Sequence, residues 1–353
     1  MLERAYEESL CFHTTPRRIA WVIVIMLATV FAVDAAVGAW LDRHGTNLGY
    51  RYIAHKWRVL ADLEQPVDWL VLGDSSVAQA FDPDVLARDT GITAVNLGTI
   101  GNFGVTGDLW MLEEYLERFG APQRVVLVHA YDVWHRPLDR TLIGRVPRGW
   151  ATSARIRERY EIEGDALVDL VTNRHARLYA ERASIRKALE LTWWTLVKDD
   201  AELAAIRAAD RGLPRSEPEL VGNGFVRMCD PMPAHVAGDE RGHRRSLAKR
   251  RFRISRDNRE ALLRIAELTV EHGFRVDIVP GPIYGRLAAQ ERHERYMDAE
   301  IQALRSLVEP FPGVMVHREL RTYDRHQMQN ADHITCDAAP DYSRWLIERV
   351  GRG

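Results

Sequence analysis

Gly73-Asp74-Ser75-Ser76 directly follows the apolar run Val67 to Leu72. A serine at the carboxyl end of a buried strand, beside a helix amino terminus, can serve as a nucleophile because backbone N–H groups there can bind a developing oxyanion. The same tripeptide can also be a plain turn that caps a helix. Ser75 therefore needs a base, and the best candidate stands far down the chain in Asn330-Ala331-Asp332-His333, a polar loop leading into a final amphipathic segment. In a parallel sheet the strand-end loops converge on one edge, so Ser75 and His333 can meet despite their separation. A serine and an imidazole brought together there are the residue types that nucleophilic catalysis uses. Asp332 stands next to the histidine and Asn330 three residues before it. Asp324 and His326 form a reserve pairing.

Five short β-branched runs supply the strands that must position these groups: Val67 to Leu72, Thr93 to Leu97, Arg124 to Ala130, Arg275 to Val279 and Val314 to His317. Between the second and third, Val105, Leu109, Leu112, Leu116 and Phe119 fall on one helical face; a similar helix from about Asn258 to His272 precedes the fourth. Strands alternating with amphipathic helices predict a parallel sheet covered on both sides. The expected fold is α/β: a three-layer α/β/α sandwich with a five-stranded parallel, flavodoxin-like sheet over residues 60–350. An insertion at 135–257 separates strands three and four and is too long for a simple crossover. Within it, Arg177 to Arg207 reads as helix, with Ile185, Leu189, Trp193, Leu196 and Val197 near one face. The expectation is a helical cap over the carboxyl edge of the sheet, the other reading being a peripheral excursion that buries its own stripe. Arg241 to Arg256 contains no acid, a composition suited to an anionic glycan or lipid headgroup and equally to a solvated loop.

The chain of 353 residues is 46% hydrophobic and 28% charged, enough for a large α/β core and unlike a disordered protein. Its net charge of −2 gives no global attraction to nucleic acid. Residues 1–18 form a segment ending in Pro16-Arg17-Arg18, and residues 19–41 are apolar but for Asp34, which reads as a single transmembrane anchor or as a cleaved signal peptide. The long leading segment favours the anchor. Arg17 and Arg18 favour a cytoplasmic amino terminus, placing the domain on the periplasmic or extracytoplasmic face of the inner membrane. Cys229 and Cys336 would then share a compartment that permits a disulfide, the alternative being two buried thiols; Cys11 lies on the other side.

Taken together, Gly73-Asp74-Ser75 after the first strand, Asn96-Leu97-Gly98 after the second and the acid–histidine loop at the end resemble the SGNH/GDSL hydrolase superfamily over about Asp68 to Leu346, the insertion apart. By architecture the chain more narrowly resembles membrane-anchored members that act beside membrane-bound O-acyltransferases on cell-envelope polysaccharides. The resemblance implies Ser75 as nucleophile, His333 as general base with Asp332, and an oxyanion site using the N–H groups of Ser75 and Gly98. Where the family carries Gly-x-Asn-Asp after the third strand, this chain has His129-Ala130-Tyr131-Asp132, so the donor is sought in Asn102, with Tyr131 or His135 as substitutes. The expected activity is a serine esterase or O-acyltransferase moving an acyl group, most simply acetyl, on an envelope polysaccharide or acylated glycan. No organic cofactor is expected and no metal is assigned, although His129, Asp132 and His135 are spaced such that a divalent ion is conceivable. The alternative is a catalytically weak or inactive scaffold of a polysaccharide-modifying membrane complex.

Overall fold

The computed structural model describes residues 15–45, 47–146, 162–209, 218–249 and 251–351. Cys11 and much of the segment before the first helix lie outside them. Helices α1 (Pro16–His44) and α2 (Leu48–Asp62) lead to strand β1 (Trp69–Gly73), the short helix α3 (Ser75–Ala80), α4 (Pro83–Thr90), β2 (Ala94–Asn96), α5 (Gly104–Phe119) and β3 (Arg124–His129). The long connection that follows holds a 3-10 turn (Arg140–Arg145), α6 (Gly164–His175), α7 (Arg177–Ala180), α8 (Arg182–Val197), α9 (Asp200–Ala209), the antiparallel ribbon β4 (Glu219–Leu220) and β5 (Val226–Arg227), and α10 (Pro233–Lys249). The chain then completes α11 (Arg256–His272), β6 (Arg275–Pro280), β7 (Ile283–Tyr284), α12 (Gly285–Ala288), α13 (Glu291–Val308), β8 (Val314–Val316), β9 (Thr322–Tyr323) and α14 (Ala339–Gly351).

The central sheet is five-stranded and parallel throughout, in the order β2-β1-β3-β6-β8. Its middle strands are continuous apolar runs because both faces are covered: every residue of β1 is buried, as are Val125 to His129 of β3. The order of strands reverses direction at β1, so the loops after β1 and β3 diverge and leave a crevice at their carboxyl ends. Gly73 ends β1 with φ +142°, and a Cβ there would lie 1.8 Å from the Val128 carbonyl oxygen. Only glycine lets β1 hug β3 and still turn sharply into α3, which is why the nucleophile candidate is preceded two residues earlier by glycine.

Asn258, buried on α11, fixes the loop after β3: its Nδ2 donates to the carbonyls of Val133, Trp134 and Arg136 at 3.1 Å each, and its Oδ1 accepts the Val105 N–H at 3.0 Å. At the outer edge of the sheet, the fully buried Lys56 ammonium donates to the Asn96 carbonyl, the Asn96 side chain and the Gly224 carbonyl. Burial holds its pKa well below the ordinary lysine value.

The helix expected over Arg177 to Arg207 is broken into α7, α8 and α9, and its apolar stripe does not cover the sheet: Leu189, Trp193, Leu196 and Val197 are exposed. The stretch from Arg241 to Lys249 belongs to α10 instead of a loop. Helix α1 is long and apolar enough to span a membrane, with an 18-residue window of mean hydropathy 2.4. Cys229 and Cys336 form a disulfide with Cα atoms 4.6 Å apart, closing 107 residues of sequence separation.

Candidate active site

Asp74 organises the turn that carries Ser75. As N-cap of α3, its Oδ1 accepts the Ser76 N–H at 2.7 Å, and its Oδ2 accepts the Ala130 N–H at 2.7 Å, tying the end of β1 to the end of β3. Burial alone would raise this carboxyl, but His129, 3.8 Å away, together with the two N–H groups holds it well below the usual carboxylate range. His129 in turn bonds Asp108 Oδ2 through Nε2 at 2.6 Å. Burial opposes its charge, yet Asp108 and then Asp74 raise its pKa to about 10, so the site is floored by an imidazolium held between two carboxylates.

The two adjacent serines are not equivalent. Ser76 is wholly buried, its Oγ without a hydrogen-bond partner and 2.6 Å from where a Cβ on Gly281 would stand. Ser75 is half-buried and lines a cleft of about 220 Å³ with Asp74, Gly101, Val133, Arg136, Asp239, His243, Asn330, Asp332 and His333. Its position in the first turn of α3 leaves its N–H without an intrahelical acceptor.

His333 is held from one side only. Its Nδ1–H donates to Asp332 Oδ1 at 2.5 Å and to Asn330 Oδ1 at 2.8 Å, so both candidate orienting groups contact the same ring nitrogen. Because both partners are acceptors, Nδ1 carries the proton and Nε2 keeps its lone pair. Burial lowers the His333 pKa, but Asp332 foremost, with Asp74 and Asp239, raises it above the ordinary histidine value. The loop is pinned by its neighbours: Ala331 N–H donates to Asp239 Oδ2 at 2.9 Å, the Ala331 carbonyl accepts from Tyr284 N–H at 2.8 Å, and Cys336 N–H donates to the Met228 carbonyl at 2.8 Å beside the disulfide.

Ser75, His333 and Asp332 line one cleft, and of the expected oxyanion donors the Ser75 N–H is there with them while Gly98 and Asn102 are not. The Gly98 N–H donates to Asn96 Oδ1 at 3.0 Å and is taken up inside the β2 turn. Asn102 is exposed, and its Oδ1 accepts from Arg136 at 3.3 Å. The cleft receives Gly101 and Arg136 in their place. Tyr131 packs in the wall with its hydroxyl 2.5 Å from His243 Nδ1, and His135 pairs with the Tyr296 hydroxyl at 3.3 Å. Asp324 caps the 3-10 turn Arg325–Gln327 and His326 is exposed beside Arg325, so this reserve pair lies outside the cleft. His129, Asp132 and His135 turn to different partners, and among the described residues no group of three or more His, Cys, Asp or Glu side chains is arranged to hold a metal ion.

Three polar cleft residues escaped the sequence reading: Arg136, which follows β3, and a pair on α10. Asp239 and His243 lie one turn apart on α10, with His243 Nε2 and Asp239 Oδ2 3.5 Å apart. Their i,i+4 spacing within the insertion was the available signal. Beyond Arg136, Asp239 and His243 the floor continues into a second cleft of about 440 Å³ that also holds Asp132, His135 and Ser246, and His135 is shared with a third of about 690 Å³ lined by Arg251, Arg253, Arg256 and Arg259.

No family model matches the chain, and no curated protein matches it. Among solved structures, one from Streptococcus pneumoniae, provisionally described as a platelet activating factor, is similar at 12% identity with a TM-score of 0.35, covering 90% of this chain and 98% of the other.

Proposed function

We propose that the chain is a membrane-tethered, extracytoplasmic serine esterase or O-acyltransferase of SGNH type, acting on an envelope polysaccharide through a Ser75 acyl-enzyme. The observation that carries this reading is the convergence of Ser75 and His333 in one cleft, with the Nδ1 face of the imidazole engaged by Asp332 and Asn330 and Nε2 left as a base.

In the proposed reaction His333 Nε2 takes the Ser75 proton as Ser75 Oγ bonds to the acyl carbon. The bond from that carbon to the leaving alcohol then breaks, and His333 returns the proton to the alcohol oxygen. Water or a sugar hydroxyl repeats the sequence in reverse, giving an esterase or a transferase. The Ser75 N–H and the Arg136 guanidinium are the donors available to the oxyanion, each such donor typically lowering the barrier by about 3–4 kcal/mol. The row of clefts ending at Arg251, Arg253, Arg256 and Arg259 suits an extended acidic glycan laid across several subsites, with its acylated unit at Ser75. A membrane-bound O-acyltransferase is the natural acyl donor for the transferase form.

A fluorophosphonate probe tests the reading. Wild type is expected to be labelled, Ser75→Ala not at all, and Ser76→Ala, if folded, at close to the wild-type level. Folded wild type that resists labelling would favour the alternative, a catalytically silent scaffold, which the diversion of the Gly98 N–H into Asn96 makes worth testing.

A further inference from the structure

The insertion packs against the membrane anchor through α6 and α7. The uncharged part of α1, Ile19 to Val33, is exposed on all sides, and beyond Asp34 the same helix still exposes Ala35, Ala36, Ala39 and Trp40. From Asp34 onward the same helix is clasped by the insertion. Asp34 Oδ2 accepts the Arg177 N–H at 3.0 Å and Oδ1 the Leu178 N–H at 2.8 Å, while Arg177 donates to the Gly38 carbonyl at 2.9 Å and to Asp42 at 2.7 Å. Glu181 closes the knot, accepting from Arg177 at 2.6 Å and from Arg145 at 2.5 Å. This is how a carboxylate at membrane depth is expected to be treated: buried in protein with its oxygens bonded. These bonds join the anchor to the insertion.

Among the described residues the insertion leaves large apolar side chains exposed: Val168 and Val171 on α6, Tyr179 on α7 beneath the Arg182 guanidinium, and Leu189, Trp193, Leu196 and Val197 on α8. The last four follow i, i+4, i+7, i+8 and so form one stripe. We infer that α6 and α8 rest in the outer leaflet of the bilayer, adding apolar surface beside the anchor where the insertion clasps it. The occupant of this face is lipid. Two features favour lipid: the packing of α6 and α7 against a helix of membrane-spanning character, and Trp193, an exposed aromatic of the kind that belts membrane interfaces. The inference does not rest on the proposed chemistry.

Depth-dependent quenching tests it on the full-length chain. In a Cys11→Ser background the remaining cysteines are joined to each other. Single cysteines at Leu189, Leu196, Ile25 and Val270 would carry an environment-sensitive fluorophore in vesicles of phosphatidylcholine and phosphatidylglycerol with doxyl-labelled lipid. Ile25 lies in the exposed span and Val270 is 68% exposed on α11, away from the knot. The expected result is quenching at Leu189 and Leu196 several-fold above Val270 and approaching Ile25. Labels at Leu189 and Leu196 that behave like Val270 would overturn the inference, pointing to a protein partner on this face. Absence of quenching at Ile25 would overturn it equally, because the anchor would not have inserted.

Discussion

The His333 Nδ1–H donates to the carboxylate of Asp332, its own neighbour in sequence, at 2.5 Å, while Asn330 three residues earlier shares the same proton at 2.8 Å. Adjacent residues seldom achieve such a bond, and here the loop is bent into shape by the bridge between Met328 and Ile334 and by Asp239 holding the Ala331 N–H. The geometry divides the work: Asp332 supplies charge and Asn330 direction.

Asp332→Asn is expected to lower kcat by about 10³- to 10⁴-fold, as removal of the charged member does in serine triads. Asn330→Ala should cost about fivefold, the loss of one hydrogen bond worth about 1 kcal/mol. Catalysis needs neutral His333, and Asp332 is the main influence raising its pKa, so the acid limb of the pH–rate profile lies above the ordinary histidine value in wild type. In the Asp332→Asn variant that limb should move to lower pH. Rates of a small ester substrate measured across pH check both effects.

The buried His129 imidazolium predicts a pH-dependent stability. Its folded pKa of about 10 exceeds the unfolded value of 6.5, so its contribution is complete below 6.5 and lost as pH rises toward 10. Thermal unfolding in detergent micelles should show Tm falling across that window. His129→Gln, which leaves Asp74 and Asp108 buried without their cation, should destabilise by about 3–5 kcal/mol and flatten the alkaline decline.

Arg253→Ala with Arg259→Ala should raise KM for an acidic polysaccharide and weaken its salt dependence, while kcat for a small soluble ester stays near wild type. Both side chains line the outer cleft and neither touches the Ser75 cleft. Steady-state kinetics on the two substrates at low and high salt separate polymer binding from chemistry.

Replacing Cys229 and Cys336 with serine removes a link across 107 residues and should destabilise by about 2–5 kcal/mol. Because Cys336 follows His333 by three residues and its N–H is bonded to Met228, the labelling rate of Ser75 should also fall. Urea unfolding and probe labelling of the double variant measure the two consequences.

The five strands of the central sheet were legible because buried parallel strands are unbroken apolar runs, whereas the two-residue strands β4, β5, β7 and β9 are too short to show a pattern; the turn bearing Ser75 was marked by Gly73, which occupies a backbone position closed to other residues. Ser75 and His333 could be paired from topology alone, since loops at one sheet edge converge. The fate of Gly98 could not: whether its N–H faces the cleft depends on the Asn96 side chain, which also bonds the carbonyls of Val77 and Phe81. Asp239 and His243 were hidden for a related reason, because only tertiary packing brings α10 over the cleft while α8, the more apolar helix, turns outward. An apolar stripe announces that something must cover it without saying whether that is protein or lipid.

The ribbon of β4 and β5 has a consequence for how copies of this chain meet one another. Strand β2 ends the central sheet, and an unguarded outer strand is a template for chain-to-chain pairing and aggregation. Here the Asn96 N–H is already taken by the Asn223 carbonyl at 3.0 Å, and the Lys56 ammonium clamps Asn96 to Gly224 from beneath. The hairpin thereby occupies the carboxyl end of β2 from within the same molecule, and that donor is withheld from a neighbouring copy.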